Sequence, residues 1–221
     1  MRAIVASYVG VLAFSSVIFI GAGQLLFWPG ILYVVLALAG TTLSHLLMPA
    51  GSSLTASRLE ERGAGEAWDR RLLGLYFALS IVTFAVAGMD AGRFGWSGPF
   101  PLWLTLTGCV VLMAGQLLFA LAKRENAFFS ATVRVQKERG HAVCTTGPYR
   151  VVRHPGYLGM LLTSLAFPLV IGSCWAYLPT LLGVAVLLVR MYLEDSLLLR
   201  ELDGYADYAA TTRWRIVPLV F

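Results

Sequence analysis

The segment 147–159 carries the densest set of residues capable of chemistry in this chain. It runs Gly-Pro-Tyr-Arg-Val-Val-Arg-His-Pro-Gly-Tyr-Leu-Gly and joins cations, a histidine and two tyrosines to turn-forming residues. Its prolines restrict the backbone, and its glycines permit tight turns or the close approach of a ligand. His154 could act as a base, donate a hydrogen bond to a ligand or serve as an interface residue. The segment therefore predicts one shaped wall of a binding or catalytic site.

A second group of polar residues follows the last apolar run of the chain. Arg190 and Glu194 are four residues apart, so on a helix they share a face, and Asp195 adds a carboxylate beside them. Arg190 directly follows a Leu-Leu-Val run, which places it at the boundary of a bilayer. There it could face a polar or anionic ligand, and a plain salt bridge with Glu194 is the alternative.

The elements that must position these residues are helices in a membrane. The chain is 58% hydrophobic and 13% charged, whereas a soluble domain is about 45–50% apolar and about 25% charged. We expect one all-α integral membrane domain, because lipid leaves an open backbone without hydrogen-bond partners. Six apolar segments are predicted as spans, and five is the nearest alternative. They are 3–27, 31–48, 72–89, 102–122, 157–173 and 175–192.

Short breaks at 28–30 and 172–174 predict that the first and the last pairs of spans are antiparallel helical hairpins. The last hairpin would bring the loop before Tyr157 beside the helix that carries Arg190. The chain is thus predicted to divide into helices one to four, 1–122, and a core of 123–221. That core holds the loop, the hairpin and an amphipathic tail.

The basic residues predict the orientation. With both termini in the cytoplasm, 16 of the 17 Lys and Arg residues fall on the inner side and only Arg93 lies outside, as expected because short cytoplasmic loops are rich in Lys and Arg. The inner cations include Arg58 and Arg62 in the loop between the second and third spans. The net charge of +5 is therefore explained by topology and lipid headgroups, with no nucleic-acid partner expected.

Several classes of function are not supported by the pattern. The first five predicted spans have no Asp, Glu, Lys or Arg in their interiors, which argues against an ion or proton transporter. The three histidines form no His-x-x-x-His pair, and the three cysteines form no Cys-x-x-Cys pair, so no metal site is expected. Signatures of serine hydrolases and of phosphate-binding loops are absent from the sequence as well.

An ordered set of motifs resembles a known family of membrane enzymes. In order, the residues are Gln136, Gly140-His141-Ala142-Val143, Gly147-Pro148-Tyr149, Arg153-His154-Pro155-Gly156-Tyr157, Arg190, Glu194-Asp195, Tyr205, Tyr208 and Arg215-x-x-Pro218. Over roughly the C-terminal 95 residues, this set is similar to the isoprenylcysteine carboxyl methyltransferases and the related phospholipid methyltransferase-like enzymes.

The resemblance implies that S-adenosylmethionine binds on the cytoplasmic side, that S-adenosylhomocysteine is the product, and that a lipophilic or lipidated acceptor enters from the bilayer. By position it implies the following cofactor contacts: Gln136, His141, Ala142, Val143, Cys144, Gly147, Tyr149, His154, Pro155, Gly156, Tyr157 and Glu194. It implies catalytic roles for Arg190, which would orient the acceptor, and for Glu194 and His154.

Three hypotheses follow from the residues and the resemblance. The first is methyl transfer to a carboxylate, oriented by Arg190 without a general base; an amine or thiol acceptor would instead need His154 or Glu194 as the base. The second is an NADPH-dependent reductase, because sterol reductases share the C-terminal pattern, although they are typically longer. The third is a membrane scaffold without enzymatic activity. Binding of S-adenosylhomocysteine, of NADPH or of neither separates the three.

Overall fold

The computed structural model describes residues 2–48 and 65–218. In those residues all regular structure is helical, which confirms the predicted all-α class. The α-helices are α1 (Arg2–Ala22), α2 (Trp28–Leu47), α3 (Ala67–Gly88), α4 (Leu102–Glu125), α5 (Pro155–Ile171), α6 (Tyr177–Glu201) and α7 (Tyr205–Thr211). Helix α3 continues without a break into a π-helical segment, Met89–Phe94. The predicted inner cations Arg58 and Arg62 lie outside the described residues.

Four of these helices are long and apolar enough to cross a membrane. They are Ala3–Ala22, Trp28–Leu47, Ala67–Phe94 and Leu102–Glu125, and Pro155–Ile171 is a shorter apolar helix. They correspond to the first five predicted segments; residues 177–192 of the sixth lie in α6, which is not among the four candidate spans. Helix α6 runs nine residues beyond the predicted end at Tyr192, so Arg190, Glu194 and Asp195 all lie within one continuous helix.

The first break is displaced from its predicted position. Helix α1 ends at Ala22, and Gly23 follows with a φ of 69°. Trp28-Pro29-Gly30, which we expected to be the turn, is instead the first turn of α2. The physical reason is that proline fits the first turn of a helix, where its missing N–H costs no hydrogen bond.

Helices α4 and α5 approach each other closely through glycines. A Cβ on Gly115 would lie 2.8 Å from the carbonyl oxygen of Gly159, and one on Gly159 would lie 2.7 Å from the carbonyl oxygen of Gly115. Helices in lipid associate through such small residues, which let the backbones touch. The contact fixes α5, which includes the end of the 147–159 segment, against α4.

The interior between α1, α2, α3 and α5 is filled by aromatic rings. Phe84 and Phe167 stack at 4.2 Å, and Tyr33 packs edge-on against Phe167 at 4.9 Å. Ile18 completes this cluster with no exposed surface. The core thus lies between the helices and leaves both ends of the bundle for polar groups.

Two aspartates are completely buried near the two ends of α3. The helix begins before and continues beyond the predicted 72–89 segment, which brings Asp69 and Asp90 into the structure with no exposed surface. Their 21-residue separation corresponds to about 30 Å along a helix. The sequence did not identify either residue as important.

Candidate functional site

A cavity of about 290 Å³ lies between the loop that follows α4, the start of α5 and the last third of α6. Ten of the sequence-predicted site residues line it: His141, Ala142, Val143, Cys144, Tyr149, His154, Gly156, Tyr157, Arg190 and Glu194. The loop before Tyr157 therefore does lie beside Arg190, as the hairpin of α5 and α6 predicted.

The other three predicted residues, Gln136, Gly147 and Pro155, lie behind the cavity wall. Gln136 is 1% exposed, and its amide Nε2 donates to the carbonyl of Phe128 at 2.9 Å. Gly147 has a φ of 54°, and a Cβ there would lie 2.9 Å from the Glu125 carboxyl carbon. Pro155 is the first residue of α5. In the structure these residues shape the wall and do not border the cavity.

One face of the cavity is aromatic. The His141 imidazole stacks on Phe128 with ring centroids 4.5 Å apart, and its Nδ1 accepts the Gln136 backbone N–H at 3.2 Å. Burial lowers the pKa of His141, and the positive charge of Arg139 lowers it further. The ring is therefore neutral at neutral pH, and with Phe128 it offers a flat surface to a ligand.

The adjoining segment offers main-chain hydrogen-bonding groups. Val143 packs against the cluster of Leu202, Tyr205 and Tyr208. Within the described residues, the backbone groups of Ala142 and Val143 have no hydrogen-bond partner. Because both residues line the cavity, these N–H and C=O groups are available to the edge of a planar heterocycle.

A chain of hydrogen bonds crosses the cavity floor from α3 to α6. Arg190 donates from Nε to Asp69 Oδ1 at 2.6 Å and from one terminal nitrogen to the Tyr157 hydroxyl at 2.8 Å. That hydroxyl donates in turn to Glu194 Oε2 at 2.6 Å. The other terminal nitrogen of Arg190 donates to the Ala131 carbonyl at 3.0 Å. In the part of the chain that the structure describes, Glu194 Oε1 has no partner, so it is free to accept from a ligand.

Asp195 organises a second network behind the cavity. Its carboxylate is 1% exposed and lies 2.9 Å from a terminal nitrogen of Arg153, 3.0 Å from His154 Nε2 and 2.9 Å from Arg215 Nε. The Tyr205 hydroxyl also donates to it, at 2.8 Å. Burial opposes ionisation of Asp195, but the hydrogen bonds from His154, Arg215 and Tyr205 and the nearby positive charge outweigh it and hold the pKa of the carboxyl below its usual range.

This network defines how His154 is held. A carboxylate only accepts hydrogen bonds, so His154 Nε2 carries a proton in this arrangement. The ring is 5% exposed, and Nε2 is also 3.4 Å from the Tyr205 hydroxyl. Nε2 is thus engaged with Asp195, whereas Nδ1 of His154, like Glu194 Oε1, has no hydrogen-bond partner among the described residues.

The tail of the chain closes over the same end of the bundle. The backbone N–H groups of Arg153 and His154 donate to the carbonyls of Trp214 and Arg215, each at 2.9 Å. Tyr208 donates to the Tyr149 carbonyl at 2.7 Å. Burial and the Asp195 charge raise the pKa of Tyr205, which keeps its hydroxyl protonated as a donor. The tail therefore forms part of the site.

Some contributors to the site were missed or underused by sequence reasoning. Asp69 precedes the predicted third segment, and no local motif marks it. Phe128 and Phe129 line the cavity and lie in the loop just after α4, where an aromatic pair in a polar setting was the only signal. Tyr205 and Tyr208 helped to define the resemblance but were not predicted as contacts, although both line the cavity.

The fold and the site together define a helical membrane protein with a cavity at one end of the bundle, lined mostly by apolar and aromatic side chains and by a few charged ones. Residues 106–200 match the model of the isoprenylcysteine carboxyl methyltransferase (ICMT) family, which confirms the resemblance and supports an ICMT-type membrane methyltransferase. The match includes most of α4, the cavity loop, α5 and nearly all of α6; it ends before Tyr205, Tyr208 and Arg215. No curated protein matches the chain.

Proposed function

We propose that the chain uses S-adenosylmethionine to methylate a lipophilic carboxylate at the cytoplasmic face of a membrane. The observation that carries the proposal is the Arg190–Tyr157–Glu194 chain of hydrogen bonds in a cavity that is also lined by the 141–144 segment. These residues lie inside the matched segment. The orientation follows from the distribution of basic residues, with six spans and both termini in the cytoplasm.

The cavity fits the proposed cofactor. Its volume of about 290 Å³ is near the lower end of the range for small-molecule sites, about 300–1,000 Å³, which favours a single nucleoside over a dinucleotide such as NADPH. The stacked pair of Phe128 and His141 would contact one face of the adenine, and Ala142 and Val143 would bind its edge through the backbone. Glu194 Oε1 would accept from the ribose hydroxyls or the ammonium group. When bound, the cofactor supplies an electrophilic methyl group.

Arg190 would orient the acceptor. Asp69, Tyr157 and Ala131 each accept one of its N–H groups, which leaves one N–H on each terminal nitrogen for a carboxylate. A carboxylate releases no proton on methylation, so neither His154 nor Glu194 has to act as a base. Leu73, Phe119 and Met160 line the cavity on the side of the helices and would contact the apolar part of the acceptor.

The test is calorimetric titration of the purified protein with S-adenosylhomocysteine and, separately, with NADPH. We expect binding of the first and none of the second. Glu194→Gln, which retains the shape of the side chain but loses its charge, should weaken S-adenosylhomocysteine binding. Glu138→Gln is the matched control, because Glu138 pairs with Arg134 on the surface and does not line the cavity. Binding of NADPH alone would exclude the proposal in favour of a reductase.

A further inference from the structure

Asp69 is connected to the proposed acceptor site although it lies outside the segment that matches the family. It is on α3, 121 residues before Arg190, and is completely buried. Both of its oxygens are used: Oδ1 accepts from Arg190 Nε at 2.6 Å, and Oδ2 accepts the Val133 backbone N–H at 2.9 Å. One carboxylate therefore binds the arginine and also the loop that lines the cavity.

The Asp69 contact determines which way the guanidinium faces. The group is planar, so a hydrogen bond at Nε together with those at the two terminal nitrogens fixes its plane and rotation. Without Asp69, the remaining hydrogen bonds of Arg190 would be those to the Tyr157 hydroxyl and the Ala131 carbonyl, both made by its terminal nitrogens. Arg190 lies on a different helix, α6, so Asp69 anchors its Nε from across the bundle.

We propose that Asp69 is a positioning residue for methyl transfer: it orients the unused N–H groups of Arg190 toward the acceptor carboxylate. This inference rests on the proposed function. Asp69 touches neither substrate nor cofactor in the proposal and acts through Arg190. Errors of about 1 Å in the placement of reacting groups can cost about 10²-fold in rate, so loss of this anchor should be visible in turnover.

The test is Asp69→Asn, because an asparagine keeps the shape but can accept from only one of its two present donors through its oxygen. The probe acceptor is an S-isoprenylated N-acetylcysteine with a free carboxylate, assayed with methyl-labelled S-adenosylmethionine. We expect kcat/KM for the acceptor to fall about 10- to 100-fold, while the affinity for S-adenosylhomocysteine stays within about twofold of wild type. Asp90→Asn is the matched control, since Asp90 is an equally buried aspartate on the continuation of the same helix. It should leave kcat/KM unchanged.

A double variant separates positioning from general destabilisation. In an Arg190→Met background, Asp69→Asn should cause no further loss of the residual labelled turnover, because the group that it positions is gone. An equal loss in both backgrounds, or wild-type kcat/KM in folded Asp69→Asn, would overturn the inference. If Asp69→Asn does not fold, Asp69→Glu keeps the charge and shifts the anchor, and it should lower kcat/KM with cofactor affinity retained; unchanged kcat/KM would again overturn the inference. Failure of the wild-type protein to methylate the probe contradicts the proposed acceptor instead.

Discussion

Helix α3 and its continuation carry two buried aspartates, and their surroundings differ. At one end, Asp69 binds a cation, Arg190, and a backbone N–H. At the other end, Asp90 accepts from the backbone N–H and hydroxyl of Ser97 and from the hydroxyl of Ser173. Both carboxylates have hydrogen-bond donors, as burial requires, but only Asp69 is part of a charged network that borders the proposed cofactor cavity.

The difference shows what each end of the bundle does. Ser97 and Ser173 lie in the connections before α4 and before α6, so Asp90 ties two turns together through uncharged donors. At the Asp69 end, most of the residues that donate hydrogen bonds to the carboxylates also line the cavity. Burying charged groups costs free energy, so a structure that needs only stability does better without them. Their concentration at the Asp69 end therefore indicates a ligand site there.

The largest effect is expected at Asp195. Asp195→Asn leaves Arg153, 7% exposed, without its carboxylate, and breaking a buried ion pair costs about 3–5 kcal/mol. Arg215 is about one third exposed and adds little. Thermal unfolding in detergent measures the loss. Asp90→Asn, where only hydrogen bonds change, should cost about 1–3 kcal/mol. Equal losses for the two variants would remove the distinction between the ends.

The next effect concerns Arg190. Arg190→Met removes the donors for the acceptor while keeping an unbranched apolar chain, so labelled turnover should fall at least about 100-fold. Binding of S-adenosylhomocysteine, measured by calorimetry, should persist because the aromatic face and Glu194 remain. Loss of cofactor binding together with turnover would contradict this division of roles.

A smaller effect compares two aromatic stacks, one at each end. Phe128 stacks on His141 beside the cavity, and Phe94 stacks on Trp96 at the Asp90 end with centroids 5.0 Å apart. Phe128→Leu should weaken S-adenosylhomocysteine binding about two- to tenfold, the value of one aromatic contact. Phe94→Leu should leave the affinity unchanged. An equal response of both variants in the titration would show that Phe128 is not part of the cofactor site.

The smallest effect near neutral pH is the loss of stability that follows from protonation of Asp195 in acid. Its pKa in the folded protein is lower than the value of about 3.9 expected in the unfolded chain. Its contribution to stability is therefore complete above that unfolded value and is lost as the pH falls toward the folded one. Apparent melting temperatures between about pH 6 and about pH 3 should fall less steeply for Asp195→Asn than for wild type. Equal slopes of melting temperature against pH for the two proteins would contradict the lowered pKa of Asp195.

The parts of the site that the sequence predicted depend on local spacing. Arg190 and Glu194 share the cavity because four residues make about one helical turn, and the 147–159 segment reaches them because a short turn joins α5 to α6. The same reasoning predicted six apolar segments; each lies largely in a helix, and four of these helices are long and apolar enough to cross a membrane. Proline and glycine alone did not distinguish a turn at 28–30 from the first turn of a helix, so the first break was misplaced.

The remaining parts depend on contacts between distant residues. Asp69 pairs with Arg190 across 121 residues, and nothing in the composition of either segment records the pairing. The engagement of His154 Nε2 by Asp195 likewise depends on the crossing of α5 and α6. In the sequence, His154 and Glu194 were equivalent candidates for a base, and no local pattern showed that Asp195 would hold one nitrogen of His154.

The central claim is most directly tested by following the label from methyl-labelled S-adenosylmethionine into a lipophilic carboxylate in the presence of the purified protein. We predict incorporation that alkali releases as labelled methanol, as expected of a methyl ester, and that falls at least about 100-fold in Arg190→Met. Label that resists alkali would place the methyl group on nitrogen or sulfur. No incorporation into this carboxylate or into a membrane lipid extract, by protein that is folded and binds S-adenosylhomocysteine, would contradict the proposed methyl transfer.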